Sequence, residues 1–321
     1  NIVFVIFRLI LSLTMFAVLL TGVYSAYKHF SGLDPLKLDP QAVFKNIIAT
    51  LTTGQLADVL GKPVRTIYQS IPTATTEPES AKVLFRFLLV ADSHNDNLNL
   101  GRAINQAMQS YPDLKFLIGL GDYTEVGTID ELKAAKAVFD SSALRYFLIP
   151  GDHDLWDCRN RNLPPIDCFG QVFGPTYQSF VFDNFEFLLL NNSDNYTGFD
   201  EGQLKWITDE LEKAKQDGAK GIFVFLHEPL YHPSSDHAMG WVEKDLKSQA
   251  GVLIFQLKDA GVLKVITGDI HYFSQYLEPK TGLSMGTIGA VTIERNPQAP
   301  RFAVVSVFED GSTKVEDVEI K

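Results

Sequence analysis

Cysteines, basic stripes and serine-nucleophile motifs are scarce or missing in this chain of 321 residues. The sequence has only 2 cysteines, and a zinc site built on them lacks further cysteines or a nearby patterned histidine. The 28 basic residues form no stripe that would neutralise phosphates along a duplex, so nucleic acid is not expected as a partner. GxSxG occurs once, as GLSMG at 282–286, and the segment after it lacks the helical pattern that follows a nucleophilic serine, so a hydrolase with a serine nucleophile is not favoured.

The composition is that of a folded protein with a sizeable core. Hydrophobic residues make up 45% of the chain, 23 residues are phenylalanine, and the length fits one large domain with appendages. The 39 acidic residues bring the net charge to -11, which repels anionic substrates unless cations intervene. If the substrate is a phosphate ester, bound metal should therefore supply the local positive field. No obligate protein partner is evident.

The first appendage is a run of 19 residues without charge, from 9 to 27. A helix of that length spans about 28 Å, close to the thickness of a bilayer's hydrocarbon core. We therefore interpret residues 1–30 as an N-terminal membrane anchor with one transmembrane helix. A cleaved signal peptide is the main alternative, although Tyr24-Ser25-Ala26 is a poor cleavage site. A buried core helix fits less well because no polar face interrupts the run.

Residues 31–80 are predicted to connect this anchor to the folded domain. The segment LDPQAVFKNIIATL has the pattern of a short amphipathic helix, with Asp39 as N-cap and Pro40 in the first turn. The segment IPTATTEPES at 71–80 is rich in Pro, Thr and Ser, as linkers are. Residues 81–321 are then the folded domain.

The two cysteines indicate the compartment. Cys158 and Cys168 are ten residues apart in a loop-like stretch, and a bridge there would stabilise the fold by roughly 3 kcal/mol through the unfolded state. Because disulfides persist in oxidising compartments, we expect a domain outside the cytoplasm. Two buried free thiols are the alternative reading.

Within residues 81–321, apolar runs of strand length alternate with segments of helical period. Runs such as LFRFLLVA, KFLIGLG and GIFVFLH are typical of buried strands, and EGQLKWITDELEKAKQDG is typical of a helix. Asp200 and Gln203 form a capping-box pattern at the start of that helix, and Gly218 ends it. This alternation predicts an α/β core with a large, mixed sheet content.

Polar residues cluster where the predicted strands end. The clusters are Asp92 and His94; Asp122; Asp152, His153 and Asp154; His227; and Asp269 with His271. The carboxyl ends of strands in α/β sheets converge on one crevice, so these side chains should lie together. Carboxylates and imidazoles at that density need a compensating charge, and a metal centre provides one.

In these motifs and their order, the chain resembles the calcineurin-like metallophosphoesterase superfamily, whose motifs are DxH, GD, GNH(D/E), a lone His and GHxH. Here they read DSH at 92–94, GD at 121–122, GDHD at 151–154, His227 and GDIH at 268–271. FGPTYQSF at 173–180 also resembles the family's extracytoplasmic members. The resemblance implies a four-layer α/β/β/α sandwich of two mixed sheets, with a dinuclear metal site at the sheet edge.

The resemblance also implies a role for each residue. Asp92, His94 and His271 would hold one metal, Asp152, His227 and Asp269 the other, and Asp122 would bridge the two. A bridging water would be the nucleophile. His153 would protonate the leaving-group oxygen or stabilise the transition state, and Asp154 would orient its ring. The alternative for His153 is a loop imidazole bonded to the backbone. The implied function is hydrolysis of a phosphomonoester or phosphodiester.

Two positions depart from the family pattern. Asp152 stands where Asn is usual, and Asp269 stands where the first His of GHxH is usual. Four aspartates would then neutralise two divalent ions, and the attraction for a phosphate anion should weaken. Carboxylates suit hard ions, so Mn²⁺ is favoured, with Fe or Zn²⁺ as other choices.

A second function remains open at this point. The altered ligands could spoil the second metal and leave a membrane-tethered metal-binding sensor or binding module without turnover. His153 favours catalysis, because a purely structural metal needs no unliganded imidazole beside it. Five further loop residues near the crevice are weaker candidates for substrate contact, with a solvated loop as the alternative; they are Asp96, Glu125, Tyr231, His232 and His237. Tyr123 and Trp241 could equally pack over the site or fill the surface.

Overall fold

The computed structural model describes residues 82–321, together with Met15, Thr21 and Ser25, each of which is helical. The predicted anchor, amphipathic helix and linker therefore lie almost wholly outside the described residues. Within the described part of the chain, no helix has the length and apolar character needed to cross a bilayer.

Eleven strands form two sheets in residues 82–321. In chain order they are β1 (Val83–Val90), β2 (Leu114–Gly119), β3 (Arg145–Leu148), β4 (Gln178–Phe182), β5 (Phe185–Leu189), β6 (Gly221–Leu226), β7 (Val262–Thr267), β8 (Ser274–Leu277), β9 (Ser284–Thr287), β10 (Arg301–Phe308) and β11 (Thr313–Glu319). One sheet has the order β11-β10-β1-β2-β3 and the other β4-β5-β6-β7-β9-β8. Both combine parallel and antiparallel pairs, so the predicted mixed sheets are confirmed.

The α-helices follow the strands with recognisable local signals. They are α1 (Asn97–Ser110), α2 (Ile129–Asp140), α3 (Trp156–Asn160), α4 (Asp167–Phe173), α5 (Glu201–Gln216) and α6 (Leu246–Asp259), and a 3₁₀ turn covers His153–Leu155. Helix α2 starts with a capping box between Thr128 and Glu131. Helix α5 starts at Asp200, whose carboxylate accepts a hydrogen bond from the Gln203 amide at 2.7 Å.

The two sheets pack face to face, and the helices cover their outer faces. The inner faces meet through phenylalanines; the rings of Phe87 on β1 and Phe187 on β5 lie 5.5 Å apart, edge to face. Outside the first sheet, α1, α2 and α4 bury an apolar cluster that includes Leu132 and Phe169. Outside the second sheet, α5 and α6 bury another, which includes Leu253. The layers are therefore helix, sheet, sheet and helix.

The predicted disulfide between Cys158 and Cys168 is confirmed. It joins α3 to α4, and both cysteines are buried in the cluster outside the first sheet. The bridge fastens the chain directly after the 3₁₀ turn that carries His153.

Candidate active site

Five loops bring the predicted ligands to one cleft at the carboxyl ends of β1, β2, β3, β6 and β7. Backbone hydrogen bonds connect these loops: the Asp92 amide donates to the Gly121 carbonyl at 3.0 Å, and the Gly268 amide donates to the His227 carbonyl at 3.1 Å. The polar residues that follow separate strands in the sequence are thus neighbours in space.

Two glycines allow the loops after β2 and β3 to touch. Gly121 has a φ of 96°, and a Cβ added there would lie 2.4 Å from the Gly151 nitrogen. A Cβ added at Gly151 would lie 2.0 Å from Asp122 Oδ1. Neither position accepts a side chain, which gives a physical reason for the glycine before each of Asp122 and Asp152.

The first group of donors consists of Asp92, His94 and His271. The two imidazole Nε2 atoms lie 3.1 Å apart, and His271 Nε2 is 3.7 Å from Asp92 Oδ1. His271 Nδ1 donates a hydrogen bond to the Arg295 carbonyl at 3.2 Å, which leaves the Nε2 lone pair for the cleft. Burial lowers the pKa of His94 to about 2 and that of His271 to about 4, so both rings are neutral.

The second group consists of Asp152, His227 and Asp269. His227 Nε2 lies 3.7 Å from Asp152 Oδ1 and 3.8 Å from Asp269 Oδ1. His227 Nδ1 donates to the Leu120 carbonyl at 2.7 Å, which again aims Nε2 at the carboxylates. Burial alone lowers the pKa of His227, but the surrounding carboxylates, Asp122 first, raise it well above its ordinary value.

Asp122 lies between the two groups. Its Oδ2 is 3.5 Å from His94 Nε2, and its Oδ1 is 3.5 Å from His227 Nε2. This is the position that the resemblance implies for a bridging ligand.

The backbone at the site is strained. Five of the seven predicted ligands have a positive φ, which side chains other than glycine rarely adopt; they are Asp92, His94, Asp122, Asp269 and His271. Such strain persists only where the surrounding structure enforces it, and it concentrates at functional sites.

The described residues fit divalent metal ions. Three buried atoms of the predicted ligands, Asp92 Oδ2, His94 Nδ1 and His227 Nε2, have no hydrogen-bond partner. Burial raises the pKa of Asp92 to about 8, and it also raises the pKa of Asp122 and Asp269. A cation supplies the partners and the positive charge that this donor set lacks. Four sets of three donor residues in the cleft have ligand atoms within 4.8 Å of one another.

The sequence comparison identifies the family. Residues 85–273, more than half of the chain, match the sequence profile of the calcineurin-like phosphoesterases. The chain belongs to this family. The family uses divalent metals, in agreement with the donor sets in the cleft.

Two curated relatives and one solved structure are similar to this phosphoesterase. The serine/threonine-protein phosphatase CPPED1 of Pongo abelii is 24% identical over 222 residues, which cover 64% of this chain and 70% of that protein. A probable glycerophosphodiester phosphodiesterase, GpdQ, of Arcobacter nitrofigilis is 27% identical over 151 residues, which cover 46% of this chain and 52% of that protein. A dimetal phosphatase from Danio rerio superposes with a TM-score of 0.56 at 17% identity and covers 75% of this chain and 100% of its own. Family and relatives together support a hydrolase that acts on phosphate esters.

His153 lies beside the ligands, but Asp154 does not orient it. His153 Nδ1 donates to the Glu125 carbonyl at 2.7 Å, and the ring stacks on Trp156 with centroids 3.7 Å apart. The Asp154 carboxylate accepts hydrogen bonds from Thr124 and from the Gly151 amide instead. The prediction for Asp154 is therefore wrong, because both of its oxygens tie the loop after β3 to the loop after β2. His153 also belongs to one of the four donor sets, with His94 and Asp122.

The weaker candidates divide between the cleft and the scaffold. Glu125 forms an ion pair with Arg295, and His237 lines the cleft and packs on Trp241 at 5.2 Å. Tyr123 is fully buried against Phe139, not at the surface or over the site. The other three are scaffold or border a separate cavity: Asp96 caps α1, and Tyr231 and His232 line a neighbouring cavity of about 510 Å³.

Sequence reasoning missed Arg295 and Trp156 in this phosphoesterase. Both line the cleft with His153. Trp156 stands three residues beyond His153, which was a usable local signal. Arg295 is in a loop 24 residues after His271 and has no motif around it, so only the fold brings it to the site.

Proposed function

We propose that this phosphoesterase hydrolyses a phosphomonoester or phosphodiester at a dinuclear metal centre in the cleft. The observation that carries the proposal is the meeting of seven donor residues, Asp122 and the six around it, which come from five loops. Asp92, His94 and His271 would hold one ion, and Asp152, His227 and Asp269 the other. Asp122 would contact both.

Bound there, divalent ions supply Lewis-acid activation of a water and positive charge for the phosphoryl oxygens. The chain's own residues supply the rest. The hydrogen bond from Nδ1 to the Glu125 carbonyl fixes the ring of His153. When both ring nitrogens carry a proton, Nε2 is therefore the atom that can give one to a leaving-group oxygen. Stacking on Trp156 restrains the ring in that orientation.

The donor set supports a hard ion such as Mn²⁺. Four of the seven donors are carboxylates, and the two unusual ones, Asp152 and Asp269, both lie next to His227. Oxygen donors favour Mn²⁺ or Mg²⁺ over the softer Zn²⁺.

Metal analysis combined with substrate assays tests the proposal. The purified full chain should contain about two ions per chain, lose activity on chelation and regain it with added Mn²⁺. Rates on p-nitrophenyl phosphate and bis(p-nitrophenyl) phosphate measure the two ester classes. Asp122→Asn should lower both metal content and rate, whereas Asp130→Asn, an acid in the first turn of α2, is the matched control.

A metal-binding module without turnover is the second candidate, favoured by the two departures from the family pattern at Asp152 and Asp269. It predicts metal in the protein but no hydrolysis of either ester with Mn²⁺, Fe²⁺ or Zn²⁺. That result would replace the enzymatic proposal.

We also propose that the chain is anchored in a membrane with its catalytic domain outside the cytoplasm. Support comes from the 19 residues without charge at 9–27 and from the disulfide between Cys158 and Cys168.

A further inference from the structure

The cleft contains one fixed positive charge that the proposed reaction has not used. Its volume is about 240 Å³, and three of the aspartates, Asp122, Asp152 and Asp269, line it. Of the described residues that line it, only Arg295 has a permanently cationic side chain. If four carboxylates neutralise two divalent ions, Arg295 becomes the main source of attraction for an anionic substrate.

The backbone holds Arg295 in place. Its φ of 53° lies in the left-handed region, and its carbonyl accepts the hydrogen bond from His271 Nδ1 at 3.2 Å. The next residue, Asn296, donates from Nδ2 to the Thr292 carbonyl at 2.8 Å and to the Ala290 carbonyl at 3.1 Å. A strained residue whose loop is braced in this way is preorganised for binding.

The guanidinium lies beside His153. Arg295 Nη1 is 3.5 Å from His153 Nε2, the atom placed for proton transfer, and Nη2 pairs with the Glu125 carboxylate. The side chain is 48% exposed, so substrate can reach it. A guanidinium has five N–H donors, and these two neighbours leave several for an anion.

We propose that Arg295 is a specificity-determining residue that binds a phosphoryl oxygen and selects phosphomonoester dianions over phosphodiesters. The inference rests on the proposed function, because it places the ester bond next to His153. A monoester carries about two negative charges at neutral pH, whereas a diester carries one. The second ester group of a diester also removes one of the anionic oxygens available to the guanidinium.

A pair of substrates with the same leaving group tests this assignment. For p-nitrophenyl phosphate, Arg295→Gln should lower kcat/KM about 10- to 100-fold, the range expected for a lost charge-assisted hydrogen bond. For methyl p-nitrophenyl phosphate the loss should be at most about 3-fold, because the monoanion attracts the guanidinium less. Arg295→Lys keeps the charge without the planar fork, so its kcat/KM for p-nitrophenyl phosphate should lie between that of the wild type and that of Arg295→Gln.

Binding measurements make the test independent of turnover. In the metal-loaded full chain, Arg295→Gln should raise the Kd of inorganic phosphate, measured by calorimetry, about 10-fold without changing metal content. Arg161→Gln is the matched control, since Arg161 also pairs with an acid, Asp157, but does not line the cleft.

The outcomes separate the inference from the proposed function. If neither ester is hydrolysed with any metal, the proposed function fails, and the phosphate Kd still tests Arg295. If the wild type prefers the diester, or Arg295→Gln lowers both rates equally, the specificity assignment is overturned while the phosphoesterase proposal stands. A phosphate Kd that stays within about 2-fold also overturns it.

Discussion

The ring of His153 is oriented by a backbone carbonyl, whereas the sequence analysis assigned this role to the carboxylate of Asp154. The Glu125 carbonyl fixes Nδ1, while Asp154 is occupied by Thr124 and Gly151. A neutral carbonyl orients the ring without adding a negative charge to a cleft that already contains several aspartates.

His153→Ala should lower turnover by about 10²- to 10⁴-fold, because the leaving group loses its proton donor. Metal content should remain near that of the wild type, since His153 is assigned no metal. Elemental analysis and steady-state rates measure both effects. Loss of an ion from the variant would instead make His153 a ligand, as its place in one donor set allows.

The charge of Asp152 and Asp269 should control the affinity for phosphate and the choice of metal. The double variant Asp152→Asn, Asp269→His removes two negative charges beside His227 and restores the family's usual ligands. We expect inorganic phosphate to inhibit the double variant more strongly and the metal preference to move from Mn²⁺ towards Zn²⁺. Inhibition constants and metal competition measure these changes. Unchanged values for both would show that the two aspartates do not set the charge of the site.

At the level of single elements, local signals place helix ends better than they assign side-chain partners. Asp200 caps α5 as predicted, and Gly218 follows its end with a φ of 68°. The reciprocal half of the predicted capping box is missing, because the Gln203 side chain bonds the Asn191 backbone through both Nε2 and Oε1. Gln203 therefore joins α5 to the end of β5.

Strand β5 contains a carboxyl group that should make stability depend on pH. Burial, with Glu210 nearby, raises the pKa of Glu186 to about 7. In the unfolded chain the group releases its proton near its ordinary pKa, so the folded state loses stability as pH rises from about 4.5 to 7.

Glu186→Gln removes this dependence. The variant should gain stability over the wild type as pH rises from about 5 to 8, by about 1 kcal/mol once solvent screening is allowed for. Urea unfolding at both pH values measures the gain. Glu212→Gln, at an exposed position on α5, is the control and should show no such trend. A constant difference for Glu186→Gln would mean that the carboxyl titrates normally in the fold.

For the whole molecule, the disulfide between Cys158 and Cys168 predicts an oxidising compartment outside the cytoplasm. Because Cys158 and Cys168 are both buried, protection from alkylation in the folded protein would not distinguish a disulfide from free thiols. Protein from its native host should therefore be unfolded under acid quench and then alkylated. We expect alkylation only after reduction, together with recovery in the membrane fraction. Thiols that react without a reductant would indicate a reducing compartment.

Much of the fold could be predicted from the sequence, because buried strands are continuous apolar runs. The segments that became β1, β2 and β6 were predicted as strands on that basis. Strands β8 and β9 were missed because each has four residues and neither has an apolar run, as in SQYL and SMGT. Their pairing with β7 and with each other, not their composition, makes them strands.

The sequence by itself determined which residues meet at the site, because each motif follows an apolar run whose carboxyl end must face the same edge. It also determined the glycines that let two of those loops touch. Only the tertiary structure decided what surrounds the motifs: Arg295 beside His153, Tyr123 in the core, and Asp154 bound to Thr124. The physical reason is the distance along the chain between the residues that interact. A strand or a cap depends on residues within about a dozen positions, whereas Arg295 meets His153 across 142 positions through the packing of two sheets.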